Sequence, residues 1–87
     1  MSRADRMEQS LRSAFSPQHL EIVDESEAHR GHGGWREEGE THYRVEITSS
    51  AFNGQSRVAR QRAVNQALAA EFDAGLHALS LSVEGTE

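Results

Sequence analysis

The most constraining feature of the sequence is a strict alternation of apolar and polar residues from Thr41 to Ser49. The apolar parity holds Tyr43, Val45 and Ile47, and the polar parity holds His42, Arg44, Glu46 and Thr48. Successive side chains of a strand point to opposite faces, so this pattern predicts a half-buried antiparallel strand. The chain must therefore build a sheet and cover one of its faces. Its 87 residues leave room for one hydrophobic core, which predicts a single domain spanning 1–87.

The flanking segments supply the rest of that domain. Apolar residues at helical spacing predict a helix from Ser2, its N-cap, to Phe15, and Ser16-Pro17 closes it. A short strand is expected from His19 to Ser26, paired with the alternating strand.

A second long helix is expected from a cap at Gln55-Ser56 to about Phe72, with a possible break near Arg60 and with Gly75 just beyond its end. Val64, Ala67, Leu68, Glu71 and Phe72 would form its apolar face. His77 to Val83 alternates again and predicts a third strand. The order is thus αββα(α)β, an α+β fold with helices on one face of a three-stranded sheet. Its core would span about 2–83, and residues 84–87 are expected to fray.

Residues 27–40 show no periodicity and contain four glycines, which predicts a loop. Unstructured connections of this length are uncommon unless they are functional or mobile. The loop carries His29, His32 and Trp35. Trp35 either anchors a partner or folds back onto the edge of the sheet.

Charge and composition exclude several classes of protein. The formal net charge is -5, and all nine basic residues are arginine, so the overall field repels nucleic-acid phosphates. There is no cysteine, so a metal here needs imidazole or carboxylate ligands, or thiolates from another molecule. No signal peptide or membrane-spanning run is visible, and we expect a monomer in the bacterial cytoplasm with no membrane partner.

Five histidines are the chemical peculiarity of the chain. His29 and His32 lie three residues apart, and either bind a metal or are solvated loop residues. His77 has the parity of the apolar residues of its strand, and is either a half-buried histidine or a ligand. His19 and His42 are expected at the surface. A direct zinc or copper site formed by His77 and the two loop histidines is a further alternative.

Three arginines at the start of the second long helix, Arg57, Arg60 and Arg62, could contact phosphates, or could form a solvated helix face. No nucleophile triad, phosphate loop or nucleotide fingerprint is present, and we expect no enzymatic activity.

Four ordered blocks, covering about Leu11 to Val83, closely resemble the BolA family. The blocks are Asp24-Glu25-Ser26-x-x-His29, Gly39-Glu40-Thr41-His42-Tyr43-Arg44-Val45, Phe52-x-Gly54-x-Ser56-x-x-x-Arg60-x-Arg62-x-Val64-Asn65-x-x-Leu68-x-x-Glu71 and Gly75-Leu76-His77-Ala78-Leu79-Ser80. The resemblance implies a class II KH-like fold. This chain departs from the family in having Arg60-Gln61-Arg62 where Arg-His-Arg is common. A further helix often follows Val83 in the family, and we expect it to be absent here.

The resemblance also implies a function. Proteins of this family partner monothiol glutaredoxins and share a [2Fe-2S] cluster with them, in iron-sulfur trafficking or iron regulation; some bacterial members are described as DNA-binding regulators. The invariant cluster ligand of the family corresponds to His77, and the variable loop ligand to His29, with His32 as a close competitor. Glutaredoxin and glutathione would supply the thiolates, and the isolated chain would hold no cluster. The alternative function is DNA binding through Arg57, Arg60 and Arg62.

Overall fold

The computed structural model describes residues 2–25 and 41–87. The elements follow in the predicted order: α1 (Arg3–Phe15), β1 (His19–Asp24), β2 (His42–Thr48), a 3-10 turn (Ser50–Phe52), α2 (Arg57–Ala67), α3 (Ala69–Asp73) and β3 (Ala78–Glu84). The predicted α+β class with a three-stranded sheet is confirmed. None of the helices in these two ranges has the length and the apolar run that crossing a bilayer would require.

Helix α1 begins and ends where the sequence predicts. The Ser2 hydroxyl accepts a hydrogen bond from the Asp5 N–H at 3.2 Å, and the Asp5 carboxylate accepts one from the Ser2 N–H at 3.0 Å. This reciprocal capping box satisfies N–H groups that the first helical turn leaves unpaired. At the other end Ser16 adopts a left-handed conformation (φ 44°), which ends the helix before Pro17.

Strand β2 is the centre of the sheet. β1 pairs with it antiparallel, with Ile22 opposite Val45, and β3 pairs with it parallel, with Leu81 opposite Val45. A parallel pair needs a long crossover connection, and the 3-10 turn, α2 and α3 supply it. The two edge strands therefore both take their register from β2.

The core lies between the helices and one face of the sheet, which we call the inner face. Alternate residues of β2 point into it, as predicted, and α1 contributes side chains that are completely buried. The buried apolar residues are Met7, Leu11, Tyr43, Val45, Ile47, Phe52, Val64, Leu68, Leu76 and Val83. On the opposite face of the sheet, which we call the open face, Arg44 is exposed and Glu46 is half-buried.

The crossover helix breaks at Leu68, so the expected break near Arg60 is wrong. Leu68 has φ -105° and ψ 12° and is 1% exposed, and it separates α2 from α3. The change of direction places Glu71 in the interior and leaves Phe72, which was expected on the buried face, 36% exposed.

Glu71 joins α3 to the start of α1. Its carboxylate accepts hydrogen bonds from the Arg3 Nε at 3.1 Å and from the Arg6 Nε and Nη2 at 3.0 Å each. Arg3 also donates to the Ala74 carbonyl at 2.8 Å, which closes the end of α3. Hydrogen bonding from Arg6 lowers the pKa of Glu71, burial opposes this, and Arg3 adds to the lowering.

The end of the chain is held against the turn that precedes α2. β3 begins one residue later than predicted and includes Glu84, where fraying was expected to begin. The Asn53 side chain then donates to the Thr86 hydroxyl at 2.9 Å and accepts from the Thr86 N–H at 2.7 Å.

Candidate metal centre

His77 lies between the end of α3 and the start of β3. Gly75, with φ 119°, follows α3, and the Leu76 N–H donates to the Glu71 carbonyl at 2.9 Å, as in a Schellman helix end. The His77 and Ala78 N–H groups then donate to the Thr41 carbonyl at 2.9 and 3.0 Å. The backbone is thus fixed on both sides of His77.

The side chain of His77 is exposed. The alternative of a half-buried histidine is therefore wrong. Leu76, immediately before it, is 4% exposed and anchors this stretch in the core. The backbone at His77 is fixed and its imidazole is exposed, so another molecule can reach the imidazole.

His42 is the immediate neighbour of His77. The two imidazole rings have centroids 5.3 Å apart and are inclined at 54°. His42 is 4% exposed, so its expected surface position is wrong. Its Nδ1 lies 2.9 Å from the Thr41 hydroxyl, and in the sheet His42 is opposite Ala78, one residue after His77. The His77 ring and the Thr41 hydroxyl are therefore direct neighbours of the buried His42 imidazole.

Glu25 and Thr41, which flank the segment that carries the predicted loop ligands, lie at this same end of the sheet. The Glu25 N–H donates to the His42 carbonyl at 2.7 Å, and Thr41 receives the two hydrogen bonds from the His77 region. His29, His32 and Trp35 themselves lie outside the described residues. The residues on either side of their segment are therefore close to His77.

The described residues offer few potential metal ligands near His77. Among residues 2–25 and 41–87, one group of three potential metal ligands is present, formed by His19, Glu21 and Glu46, and His77 is not part of it. Because the chain has no cysteine, it cannot supply thiolates at His77. A metal centre there needs further ligands from the 26–40 segment or from another molecule.

The arginines proposed for phosphate contact lie along the start of α2. Arg57 and Arg62 are exposed, and Arg60 is half-buried with its Nε donating to the Gln55 carbonyl at 3.1 Å. Arg57 and Arg60 line a groove of about 370 Å³ between α2 and β3. Glu84 lines the same groove and makes it less favourable for phosphate.

Comparison with known proteins indicates one family. The family model described as "BolA-like protein" matches residues 11–87. A relative from Sinorhizobium sp., named as an uncharacterized protein in the cobS 5' region, is 52% identical over 82 residues, which cover 93% of this chain and 88% of the relative. The DNA-binding transcriptional regulator BolA of Escherichia coli is 39% identical over 77 residues, which cover 88% of this chain and 70% of the regulator.

The fold has solved counterparts. The structure of BolA1 from Arabidopsis thaliana matches with a TM-score of 0.88 at 37% identity, covering 99% of this chain and 94% of that one.

Proposed function

The chain belongs to the BolA-like family, and on this premise we propose that it is a non-enzymatic partner of monothiol glutaredoxins that co-ligates a [2Fe-2S] cluster in iron-sulfur trafficking or iron regulation. The observation that carries the proposal is the exposed His77 imidazole on a backbone fixed by Thr41. The names of its relatives, a transcriptional regulator and BolA-like proteins, are not those of enzymes.

The ligand count supports a shared site. A [2Fe-2S] cluster takes four ligands, and thiolates usually supply them. This chain has no thiol, so it can contribute imidazoles only: His77, and either His29 or His32 from the segment between Glu25 and Thr41. A glutaredoxin cysteine and glutathione would supply the remaining thiolates. When bound, a cluster with mixed histidine and cysteine ligands has a higher reduction potential than one held by cysteines alone.

Two features of the surroundings of His77 support this proposal. The Thr41 carbonyl fixes the backbone on both sides of the Cα, and the His42 ring packs beside the imidazole at 5.3 Å between centroids. This packing limits the rotation of the His77 ring while leaving it open to a partner. Less rotamer freedom is then lost when the ligand binds.

Reconstitution tests the proposal. The protein is mixed with a monothiol glutaredoxin, iron, sulfide and glutathione, and the visible circular dichroism of the complex is recorded. We expect His77→Ala to abolish the wild-type spectrum. The matched control His19→Ala, which removes an exposed histidine at the other end of the sheet, should retain it. An unchanged spectrum for His77→Ala would refute the role of His77, and single His29→Ala and His32→Ala variants identify the second ligand.

A second candidate function is DNA binding, which the name of the Escherichia coli relative favours. Arg57, Arg60 and Arg62 would supply the phosphate contacts from the start of α2. The affinity for duplex DNA should then fall with salt, at a slope of about -0.9 in log units for each phosphate contacted. Arg60→Ala should make that slope shallower. A slope near zero, or one that Arg60→Ala leaves unchanged, would remove this candidate.

A further inference from the structure

We infer that the open face of the sheet has a second metal site, in which His19, Glu21 and Glu46 bind a divalent ion of the zinc class. One potential ligand atom from each of the three side chains lies within 4.8 Å of the other two. The site lies toward the opposite end of β2 from His42 and His77. It therefore does not depend on the proposed cluster function.

Strand pairing brings the three side chains together. Glu21 is directly opposite Glu46 in the register of β1 and β2. His19 is two residues before Glu21 on the same strand, so both side chains project from the same face. The Gln18 N–H donates to the Thr48 carbonyl at 2.9 Å, which continues the pairing one residue beyond His19. The sheet backbone holds the three Cα positions with or without an ion.

The distances require only a small adjustment of the side chains. Zinc binds histidine nitrogen and carboxylate oxygen at about 2.0–2.2 Å, which places tetrahedral ligands about 3.3–3.6 Å apart. The three ligand atoms, within 4.8 Å of one another, must therefore approach by up to about 1.5 Å. The His19 and Glu21 side chains are exposed and Glu46 is half-buried, so rotation about their side-chain bonds can provide this movement.

The charges on this part of the open face favour a cation. Like charges directly opposite each other in an antiparallel pair destabilise it, and Glu21 faces Glu46 in this way. Arg44 compensates only in part, because its Nη1 lies 3.7 Å from a Glu46 oxygen while its Nε lies 3.4 Å from Glu25. Within residues 2–25 and 41–87, Glu21 has no ion pair. A bound dication would turn the Glu21–Glu46 repulsion into attraction.

The types of ligand indicate the class of ion. The hard cations magnesium and calcium prefer oxygen ligands alone, whereas imidazole suits zinc, copper, iron and nickel. Three protein ligands with a fourth position open to water are a known arrangement for zinc, seen in its catalytic sites. The imidazole therefore sets this group apart from an ordinary acidic surface.

Zinc titration by isothermal calorimetry tests the inference in a variant that lacks the other candidate ligands. The variant His29→Ala/His32→Ala/His77→Ala keeps His19 and the buried His42 as its only histidines. We expect it to bind one Zn²⁺ per chain and to show no binding of Mg²⁺. Absence of Zn²⁺ binding by this variant would overturn the site. Because the variant lacks every histidine proposed for the cluster, neither result bears on the proposed function.

Further substitutions in that variant identify the ligands. Adding His19→Ala or Glu21→Gln should weaken Zn²⁺ binding at least about tenfold, since even outer partners of metal ligands contribute 10- to 100-fold. Adding Glu8→Gln, which removes an exposed carboxylate on α1, should change the affinity less than about twofold. Far-ultraviolet circular dichroism verifies that each variant is folded. An affinity unchanged by His19→Ala would also overturn the site.

Discussion

The contact region between the helices and the inner face of the sheet differs in burial and in ion pairing from the positions of the candidate ligands. In the contact region Leu11, Val45 and Val64 are fully buried, and the buried carboxylate of Glu71 is paired with two arginines. The candidate ligands His19, Glu21 and His77 are exposed. The contact region therefore determines whether the chain folds, while the exposed ligand positions are free to bind without altering the core.

The largest expected loss of stability comes from the contact region. Leu11 is 0% exposed in the core, so Leu11→Ala removes buried methyl groups and leaves a cavity. We expect the free energy of unfolding to fall by about 2–5 kcal/mol, measured by urea denaturation. The matched control is Val58→Ala on α2, whose side chain is 57% exposed and which should change stability by less than about 0.5 kcal/mol. Similar losses of stability in the two variants would contradict the view that the buried contact region determines folding.

A smaller and pH-dependent loss is expected at Glu71. Glu71→Gln removes the charge that Arg3 and Arg6 contact and should lower the free energy of unfolding at neutral pH by about 1.5–3 kcal/mol. The pKa of Glu71 is lowered in the folded state, mainly by hydrogen bonding from Arg6. Its contribution is therefore present above the pKa of an unfolded glutamate and is lost as the pH falls through the folded-state pKa.

Urea denaturation as a function of pH measures this effect. The stabilities of the wild type and Glu71→Gln should converge in acid. Glu46→Gln on the open face makes the same chemical change and should alter stability by less than about 0.5 kcal/mol in the absence of metal. A difference between wild type and Glu71→Gln that stays constant into acid would contradict the ion-pair explanation.

Most of the fold could be predicted from the sequence because local signals agree with the packing. The Ser2 cap, the stop at Ser16-Pro17 and the parity of β2 each depend on neighbouring residues, and all three are observed. The break at Leu68 could not be predicted in this way. Leu68 is flanked by alanines, and both residue types are good helix formers. The hydrogen bonds that hold α3 in its direction join Glu71 to Arg3 and Arg6, more than sixty residues away in sequence.

The sequence predicted His77 but missed the burial of His42 and the group formed by His19, Glu21 and Glu46, because both depend on contacts between different strands. The resemblance to the family identified His77, and its exposure agrees with the proposed role. The burial of His42 was missed because strand parity says nothing about which residues pack at the end of a strand. The group formed by His19, Glu21 and Glu46 was missed because it depends on the register of two strands, which the sequence alone did not determine. An acidic or imidazole residue at alternate positions of two predicted partner strands is the signal that could have revealed it.

The parallel pairing of β2 with β3 has a consequence for biosynthesis. The Thr41 carbonyl that fixes His77 is translated early, but its two hydrogen-bond donors belong to residues 36 and 37 positions later. A ribosome-bound chain that has released only α1, β1 and β2 holds the acceptor without its donors. The imidazole therefore reaches its fixed position only after β3 has left the exit tunnel and paired with β2.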